Sequence, residues 1–294
     1  MDGPSDIDRP YAHAERIGPL VRRVLARNPS PFTYTGTQTY IIGEAGEVAV
    51  IDPGPDEAEH IAALVEAIGD DRVVAIACTH THRDHSPAAA PLSAITGAPI
   101  IGCAPLVLDD AGPRSDASFD AHYRPDRVLA DGEAISGKGW TLRAVATPGH
   151  TSNHLCFALE ETGALFTGDH VMGWSTSVVS PPDGDMTAYL ASLALLYARE
   201  QDRVYYPAHG PEVTKPRQLV RGMIGHRRQR ERQILRQIES GHTRIAEMVP
   251  LMYKGTDERL WPAAGRSVLS HLIDLERRGI TMRHEDQWML VSAK

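Results

Sequence analysis

The sequence predicts a mixed α/β domain in which helices cover sheets, followed by a small helical unit that ends in a hairpin. Up to about residue 213, short apolar runs alternate with turns and with segments of helical periodicity. This order of mixed elements favours sheets covered by helices. After Gly241 the composition changes, and two helical segments precede two short strand-like runs. We therefore expect a domain over residues 1–213, a connecting basic helix over 214–241 and a small unit over 242–294.

The composition limits the class of protein. The chain of 294 residues is long enough for one large domain and one small one. Hydrophobic residues make up 42% and charged residues 23%, as in ordinary soluble proteins. A net charge of −8 argues against a protein that coats nucleic acid. Because membrane-spanning and secretory patterns are lacking, we expect a cytoplasmic protein without a membrane partner. Three scattered cysteines argue against a disulfide framework.

Each element of the large domain is predicted from its own pattern. Two neighbouring strands flank a turn at Glu44–Gly46, and residues 56–69 have helical periodicity with Gly69 placed to end the helix. Five further runs are predicted strands, namely "RVVAIACT", "TLRAVAT", "HLCFAL", "ALFTGD" and "RVYYPA".

The C-terminal unit shows the order helix, helix, hairpin. "TRIAEMVPLMY" is helical apart from its proline, and the next helix has Pro262 suited to its first turn and Gly279 placed to end it. Two short strands follow around a turn near Glu285–Asp286. This order within about 55 residues is typical of a winged helix.

The stretch "CTHTHRDHSP", from Cys78 to Pro87, carries the clearest chemistry. It places three histidines and an aspartate within six residues, just beyond a buried strand. Crowding such groups into one loop would be costly unless a cation joined them. Three later strands also end in a histidine or an aspartate, and loops at strand ends are where a sheet presents functional groups. The seven candidate ligands are His80, His82, Asp84, His85, His150, Asp169 and His209.

Imidazole and carboxylate ligands suit zinc, iron or manganese, and zinc is the usual ion of histidine-rich hydrolytic sites. One catalytic zinc needs about three protein ligands, so seven candidates favour two metal ions roughly 3.5–4 Å apart. A lone histidine is more often an ordinary core or surface residue than a ligand. We therefore expect His154 and His170 not to be ligands, although they neighbour the candidates.

At these residues the chain resembles the metallo-β-lactamase superfamily. The motif His-x-His-x-Asp-His begins at His80, and the later histidine, Gly-Asp and His-Gly elements follow in the family's order across residues 35–213. The resemblance implies an αββα sandwich with a two-metal site at one edge. It implies one metal held by His80, His82 and His150, a second held by Asp84, His85 and His209, and Asp169 as the bridge. It also implies a structural turn role for Asp52.

Several segments are similar to the branch that contains the mitochondrial lactamase-beta-like ribonuclease. They are "NPSPFTYTGTQTYIIG", "THTHRDHS", "YPAHGP" and the winged-helix tail. The chain departs from that branch after Ser86, where Pro87 and Ala88 stand in place of two glycines. Pro87 could open the next helix, and Pro91 would then cost that helix a hydrogen bond or kink it.

The predicted activity is that of a two-metal hydrolase. Two cations would acidify a bridging water, and the resulting hydroxide would attack a carbonyl or phosphoryl centre. Asp84 is the predicted catalytic residue, because it can hold a metal and also take a proton. Single-stranded RNA, cleaved by an endoribonuclease, is the preferred substrate. A small-molecule thioester or ester and a β-lactam stay open as alternatives, and so does a homodimer.

The basic helix is the feature that favours RNA. Eight basic residues and a single acid lie between Lys215 and Arg236. The predicted substrate-binding residues are Arg227, Arg228, Arg230 and Arg232. The apolar spacing predicts that Arg227 and Glu231 face the protein body and that the other three arginines face outward. The alternative is a solvated helix face.

The winged helix offers a further function, that of a nucleic-acid-binding module. Its candidate recognition helix, from Pro262 to Arg278, carries acids as well as arginines and has a wide apolar face. Packing against the large domain is therefore favoured over reading of DNA.

Overall fold

The computed structural model describes residues 10–44, 46–106 and 119–291. In this part of the chain the first sheet has seven strands in sequence order, antiparallel from β1 to β4 and parallel from β4 to β7. The strands are β1 (Ala14–Gly18), β2 (Val21–Leu25), β3 (Gln38–Ile42), β4 (Glu47–Ile51), β5 (Arg72–Cys78), β6 (Ile100–Gly102) and β7 (Arg127–Val128).

The second sheet has five strands in the order β12-β11-β10-β9-β8. They are β8 (Ala134–Gly137), β9 (Trp140–Ala146), β10 (Leu155–Leu159), β11 (Ala164–Gly168) and β12 (Val204–Pro207). Among the described strands of this sheet, only the β11–β12 pair is parallel, which requires a crossover between these two strands. The two sheets face each other over buried side chains such as Ile41, Ile76, Phe157 and Phe166.

Helices cover both outer faces. They are α1 (Ala58–Ile68), α2 (Ala89–Thr96), α3 (Met186–Ala198) and α4 (Pro216–Glu239). The first two pack on the first sheet, whereas α3 and α4 share an apolar cluster with outward side chains of the second sheet, including Leu165 and Tyr205. The predicted αββα sandwich is confirmed.

The start of α2 corrects one expectation. The chain turns through Pro87 and Ala88, and the helix begins only at Ala89. Pro91 is therefore its third residue, where a backbone N–H would have no partner within the helix. The expected loss of a hydrogen bond or a kink at Pro91 was wrong for this reason.

The C-terminal unit is the predicted winged helix. It consists of α5 (Ile245–Met252), a short 3₁₀ turn (Glu258–Leu260), α6 (Trp261–Arg277), β13 (Thr281–His284) and β14 (Gln287–Leu290). The two strands pair antiparallel around the predicted turn. Val268, Leu272 and Trp288 lie in its core and are almost fully buried.

Helix α4 belongs to two cores at once. Val220 and Met223 pack in the cluster beneath α3, whereas Ile234 and Ile238 pack with the winged helix. Two separate groups of apolar residues on α4 therefore serve two different cores.

The winged helix is docked on the sandwich through polar contacts as well. Thr187 of α3 donates a 2.6 Å hydrogen bond to Asp274 of α6, and Arg266 Nε lies 3.1 Å from Ser180 Oγ. Arg277 pairs with Asp185. Among the described residues, no helix combines the length and apolar character that a membrane crossing needs.

Candidate metal centre

The seven predicted ligands lie at strand ends of both sheets. The loop after β5 carries four of them, and the loops after β9, β11 and β12 carry His150, Asp169 and His209. All seven converge at one edge of the sandwich, where their ligand atoms form two groups, each with atoms within 4.8 Å of one another. The groups are His80, His82, His150 and Asp169, and Asp84, His85 and His209.

In the first group, imidazole nitrogens face one another. His82 Nδ1 lies 3.0 Å from His80 Nε2 and 3.2 Å from His150 Nε2. Burial lowers the pKa of His82 to about 3 and holds the pKa of His80 well below its ordinary value, and neighbouring imidazoles act in the same direction. His80 and His82 are therefore neutral at pH 7, which is the form that binds a metal ion.

In the second group, carboxylates and imidazoles alternate. Asp84 Oδ2 lies 3.1 Å from His209 Nε2 and 3.3 Å from His85 Nε2. Burial opposes protonation of these rings, but the carboxylates of Asp84 and Asp169 outweigh it and raise the pKa of His209 to about 10 and that of His85 well above its ordinary value. Burial likewise opposes ionisation of Asp84 and Asp169, yet the same imidazoles hold both carboxyl pKa values well below their ordinary range.

Asp169 lies between the two groups. Its Oδ2 is 3.6 Å from His150 Nε2 and 3.6 Å from His85 Nε2, and its Oδ1 is 3.2 Å from His209 Nε2. A carboxylate that faces both groups is positioned to bind a cation in each.

Four of the five histidines are oriented by a contact at the ring nitrogen that faces away from the centre. His150 Nδ1 lies 2.6 Å from the carbonyl of Val178, and His209 Nδ1 lies 3.3 Å from that of Gly36. A carbonyl can only accept, so each Nδ1 carries a proton and each Nε2 points inward, where it can bind a metal ion once it has no proton. The other two contacts are His85 Nδ1 to Asp52 Oδ2 at 3.0 Å and His80 Nδ1 to Thr79 Oγ1 at 3.0 Å.

Asp52 serves both groups without being a candidate ligand. It is 2% exposed, and its carboxylate accepts 2.7 Å hydrogen bonds from the backbone N–H and the hydroxyl of Thr79. It therefore orients His85 directly and His80 through Thr79. Its φ of 47° agrees with the predicted turn role, but the pattern "IDPGP" gave no sign of the orienting role.

The donor set fits divalent cations. His85 Nε2 and Asp169 Oδ1 are buried, and their contacts within the described part of the chain, at 3.2–3.6 Å, are with other candidate ligands and lack the geometry of a hydrogen bond. A cation bound among these atoms would satisfy both of them. Imidazole and carboxylate donors suit zinc, iron and manganese. The metal-ligand groups found among the described residues do not include His154 or His170.

The four arginines predicted to bind substrate have different environments. Arg227 is 3% exposed, as its inward position predicted, whereas Arg228 and Arg232 are exposed. The expectation that Arg230 faces outward was wrong, because α5 crosses this part of α4. Its guanidinium donates to the Met252 carbonyl at 3.2 Å and lies 4.2 Å from the Tyr253 ring centre.

A cleft of about 660 Å³ lies between α4 and the loops that follow Asp169 and His209. Sequence patterns did not predict it, because three separate segments form its walls. Its apolar lining residues are Met172, Trp174, Val213, Leu219 and Met223. Trp174 also stacks on Tyr34, with 4.9 Å between ring centres.

Comparisons with known proteins agree with this geometry. A protein of Drosophila melanogaster named beta-lactamase-like protein 2 homolog is 32% identical over 278 residues, covering 90% of this chain and 90% of its own. An atrochrysone carboxyl ACP thioesterase of Aspergillus chevalieri is 36% identical over 230 residues, covering 77% of this chain and 68% of its own.

Solved structures share the fold. A beta-lactamase domain protein from Burkholderia ambifaria has a TM-score of 0.78 and 20% identity, covering 98% of this chain and 96% of its own. A protein solved in a di-iron-bound form has a TM-score of 0.52 and 29% identity, covering 65% of this chain and 93% of its own.

Two family descriptions match the chain itself. The Beta-lactamase associated winged helix domain matches residues 245–288. The Metallo-beta-lactamase superfamily matches residues 33–209, which include all seven candidate ligands. The chain belongs to the metallo-β-lactamase superfamily of hydrolases.

Proposed function

We propose that the chain hydrolyses acyl thioesters with two divalent cations held by the seven side chains of the candidate metal centre. The observation that carries the proposal is the position of Asp169 between two groups of ligand atoms, at distances of 3.2–3.6 Å from histidines of both. Seven donors exceed what one catalytic metal needs.

Two bound cations would supply Lewis acidity, both to a water molecule and to the acyl oxygen of the substrate. Asp84 is the residue of this chain that we assign to proton transfer. Its side chain is 19% exposed, against 13% for Asp169, so substrate and water can reach it. A 3.2 Å hydrogen bond from Thr37 Oγ1 fixes one of its oxygens. The proton that Asp84 takes from the attacking water is available to the leaving thiolate.

The thioester class is supported by a relative and by the cleft. The Aspergillus chevalieri relative is named a thioesterase. The apolar lining residues Met172, Val213 and Met223 suit the acyl chain of such a substrate, and Met172 follows the candidate ligand Asp169 by three positions in the sequence. A net charge of −8 disfavours a polyanion.

Zinc is our first choice of metal, because histidine-rich hydrolytic sites most often hold it. The likeness to the protein solved in a di-iron-bound form supports iron as the alternative. Manganese suits the same donors.

Cleavage of single-stranded RNA is the second candidate. Exposed arginines on the outer side of α4, among them Arg221, Arg228, Arg232 and Arg236, are the observation that favours it. The internal contacts of Arg227 and Arg230 reduce the predicted contact set to Arg228 and Arg232. For this reason we rank RNA below thioesters.

Metal analysis and a substrate panel test the proposal. Protein purified without chelator should hold about two equivalents of metal per chain, and it should hydrolyse acyl thioesters faster than single-stranded RNA or a chromogenic β-lactam. A single tightly held equivalent would refute the two-metal centre. Efficient cleavage of RNA with no thioester turnover would show that RNA, and not a thioester, is the substrate.

A charge reversal tests the RNA candidate separately. In the double variant Arg228→Glu and Arg232→Glu, RNA cleavage should weaken and its logarithmic salt dependence should flatten by about 0.7 per lost phosphate contact. Thioester hydrolysis by the same variant is the internal control. Unchanged RNA cleavage at every salt concentration would show that Arg228 and Arg232 are solvated side chains that do not contact RNA.

A further inference from the structure

We infer that Arg227 is a positioning residue for the metal centre, and that the docked winged helix braces the loop through which it acts. This loop, residues 169–185, joins β11 to α3 and is called the 169–185 loop below. The inference rests on the proposed metal-binding role of the seven side chains, but not on the substrate class.

Arg227 holds the loop next to the carbonyl that orients His150. Its guanidinium Nη2 donates to the carbonyl of Ser177. The next residue, Val178, accepts the proton of His150 Nδ1 at 2.6 Å. The two carbonyls belong to consecutive peptide units, so the Arg227 contact lies directly beside the contact that points His150 Nε2 at the first group of ligands.

The same contact region reaches the backbone beside Asp169. Arg227 lies over the ring of Tyr189, with Cζ 5.1 Å from the ring centre. The hydroxyls of Tyr189 and Ser177 both donate to the carbonyl of His170, at 3.1 and 2.8 Å. Arg227 thus supports both ends of the segment between Asp169 and Val178.

The winged helix fixes the rest of the loop. Arg266 of α6 contacts the buried Ser180, and Arg277 of α6 pairs with Asp185 at the end of the loop. The backbone N–H of Asp185 donates to the carbonyl of Gly149 at 2.9 Å, directly before His150. Residues of α6 therefore hold the loop at Ser180 and at Asp185.

A purely stabilising role accounts poorly for an arginine at this position. Arg227 is 3% exposed. Within the described part of the chain it contacts a carbonyl and an aromatic ring, it has no carboxylate partner, and its Nε makes no hydrogen bond. Burying a cation in this way costs free energy of folding, and an apolar side chain at this position of α4 would cost less. The directional hydrogen bond to Ser177 is what an apolar residue cannot supply.

The test compares Arg227→Met with Arg228→Met, a matched change at the exposed neighbour on the same helix. Zinc affinity is measured for each equivalent by competition with a chromophoric chelator, and the geometry of the centre by the visible absorption of the cobalt-substituted protein. In Arg227→Met we expect one equivalent to bind about tenfold more weakly, the lower end of the effect of outer contacts on metal sites, together with an altered cobalt spectrum. Arg227→Lys, which retains a charged donor, should recover part of the affinity.

The outcomes separate this inference from the proposed function. A folded Arg227→Met protein with wild-type affinities and cobalt spectrum overturns the inference, whereas wild-type protein that binds no metal overturns the proposed function. If Arg227→Met does not fold, Arg227→Gln takes its place with the same expected loss and the same refuting result. If the cobalt spectrum of Arg266→Gln is identical to that of the wild-type protein, the winged helix does not support the metal centre through the 169–185 loop.

Discussion

Replacing Asp52 by asparagine tests how the protein prepares its histidines for metal binding. Asparagine has the same shape and accepts the positive φ of 47° at this position, so the backbone turn should persist. Its Oδ1 can still accept from the Thr79 backbone N–H. The amide NH₂, however, then faces the Thr79 hydroxyl and His85 Nδ1, where the carboxylate accepted at 2.7 and 3.0 Å.

The magnitude follows from the tautomer of His85. With Asp52 as acceptor, the proton that His85 keeps when it binds a metal lies on Nδ1, so a cation can displace the Nε2 proton and bind there beside Asp84. Opposite an amide donor, His85 is favoured with its proton on Nε2, which removes the ligand lone pair. Losing such an orienting contact typically weakens metal binding 10- to 100-fold, which corresponds to about 1.4–2.7 kcal/mol. The buried carboxylate also loses charge-assisted hydrogen bonds, so we expect a fall of about 2–3 kcal/mol in the free energy of unfolding.

The assay is a zinc competition titration of Asp52→Asn beside a denaturant titration in the presence of chelator. Since Asp52 reaches His80 only through Thr79, the equivalent held by Asp84, His85 and His209 should weaken more than the other. Thr79→Val is a useful companion variant, because it removes the link to His80 and leaves the contact with His85. The reasoning would be refuted if Asp52→Asn bound both equivalents as tightly as the wild-type protein.

Two further predictions concern turnover and pH. Asp84→Asn should lower turnover by about 10²–10⁴-fold, measured by steady-state kinetics. A denaturant titration should show a smaller effect on the free energy of unfolding. Activity within a few-fold of wild type would exclude the proton-transfer role of Asp84. Burial lowers the pKa of His60 to about 4, so below pH 6.5 the unfolded chain binds a proton that the folded chain does not. Between pH 7 and 4.5 the unfolding free energy should therefore fall by about 2–3 kcal/mol on account of His60. His60→Gln should remove this pH dependence of the unfolding free energy, whereas the same change at the exposed His13 should not. An equal pH dependence in the wild-type protein and both variants would contradict the assignment to His60.

The strand ends and the candidate ligand set could be predicted because both depend on local sequence. A buried strand such as β5 has a continuous apolar pattern, and the polar residues that follow it must lie at the sheet edge. Residues 72–78 form that strand, and His80 begins the ligand loop two residues later. The winged helix was predictable for the same reason, since Pro262 and Gly279 mark the helix that precedes its hairpin.

The contacts that orient the ligands could not be predicted in this way. The carbonyls of Gly36 and Val178 contact His209 and His150, but every residue has a carbonyl, and only the path of a loop determines which one meets a given ring. The partly buried environment of Arg230 on α4 could not be predicted from local sequence either. Periodicity describes the α4 surface alone, whereas the position of Tyr253 depends on how α5 packs across it.

The packing of α4 in both cores determines how the protein unfolds. Ile234 and Ile238 complete the winged-helix core, and Val220 completes the cluster under α3, so neither core can be intact while the helix is melted. Heat or denaturant should therefore open both cores in one cooperative transition in place of two separate ones. A chain truncated after Gly241 would leave the two isoleucines in water, which makes the sandwich without its winged helix a poor candidate for an independently soluble fragment.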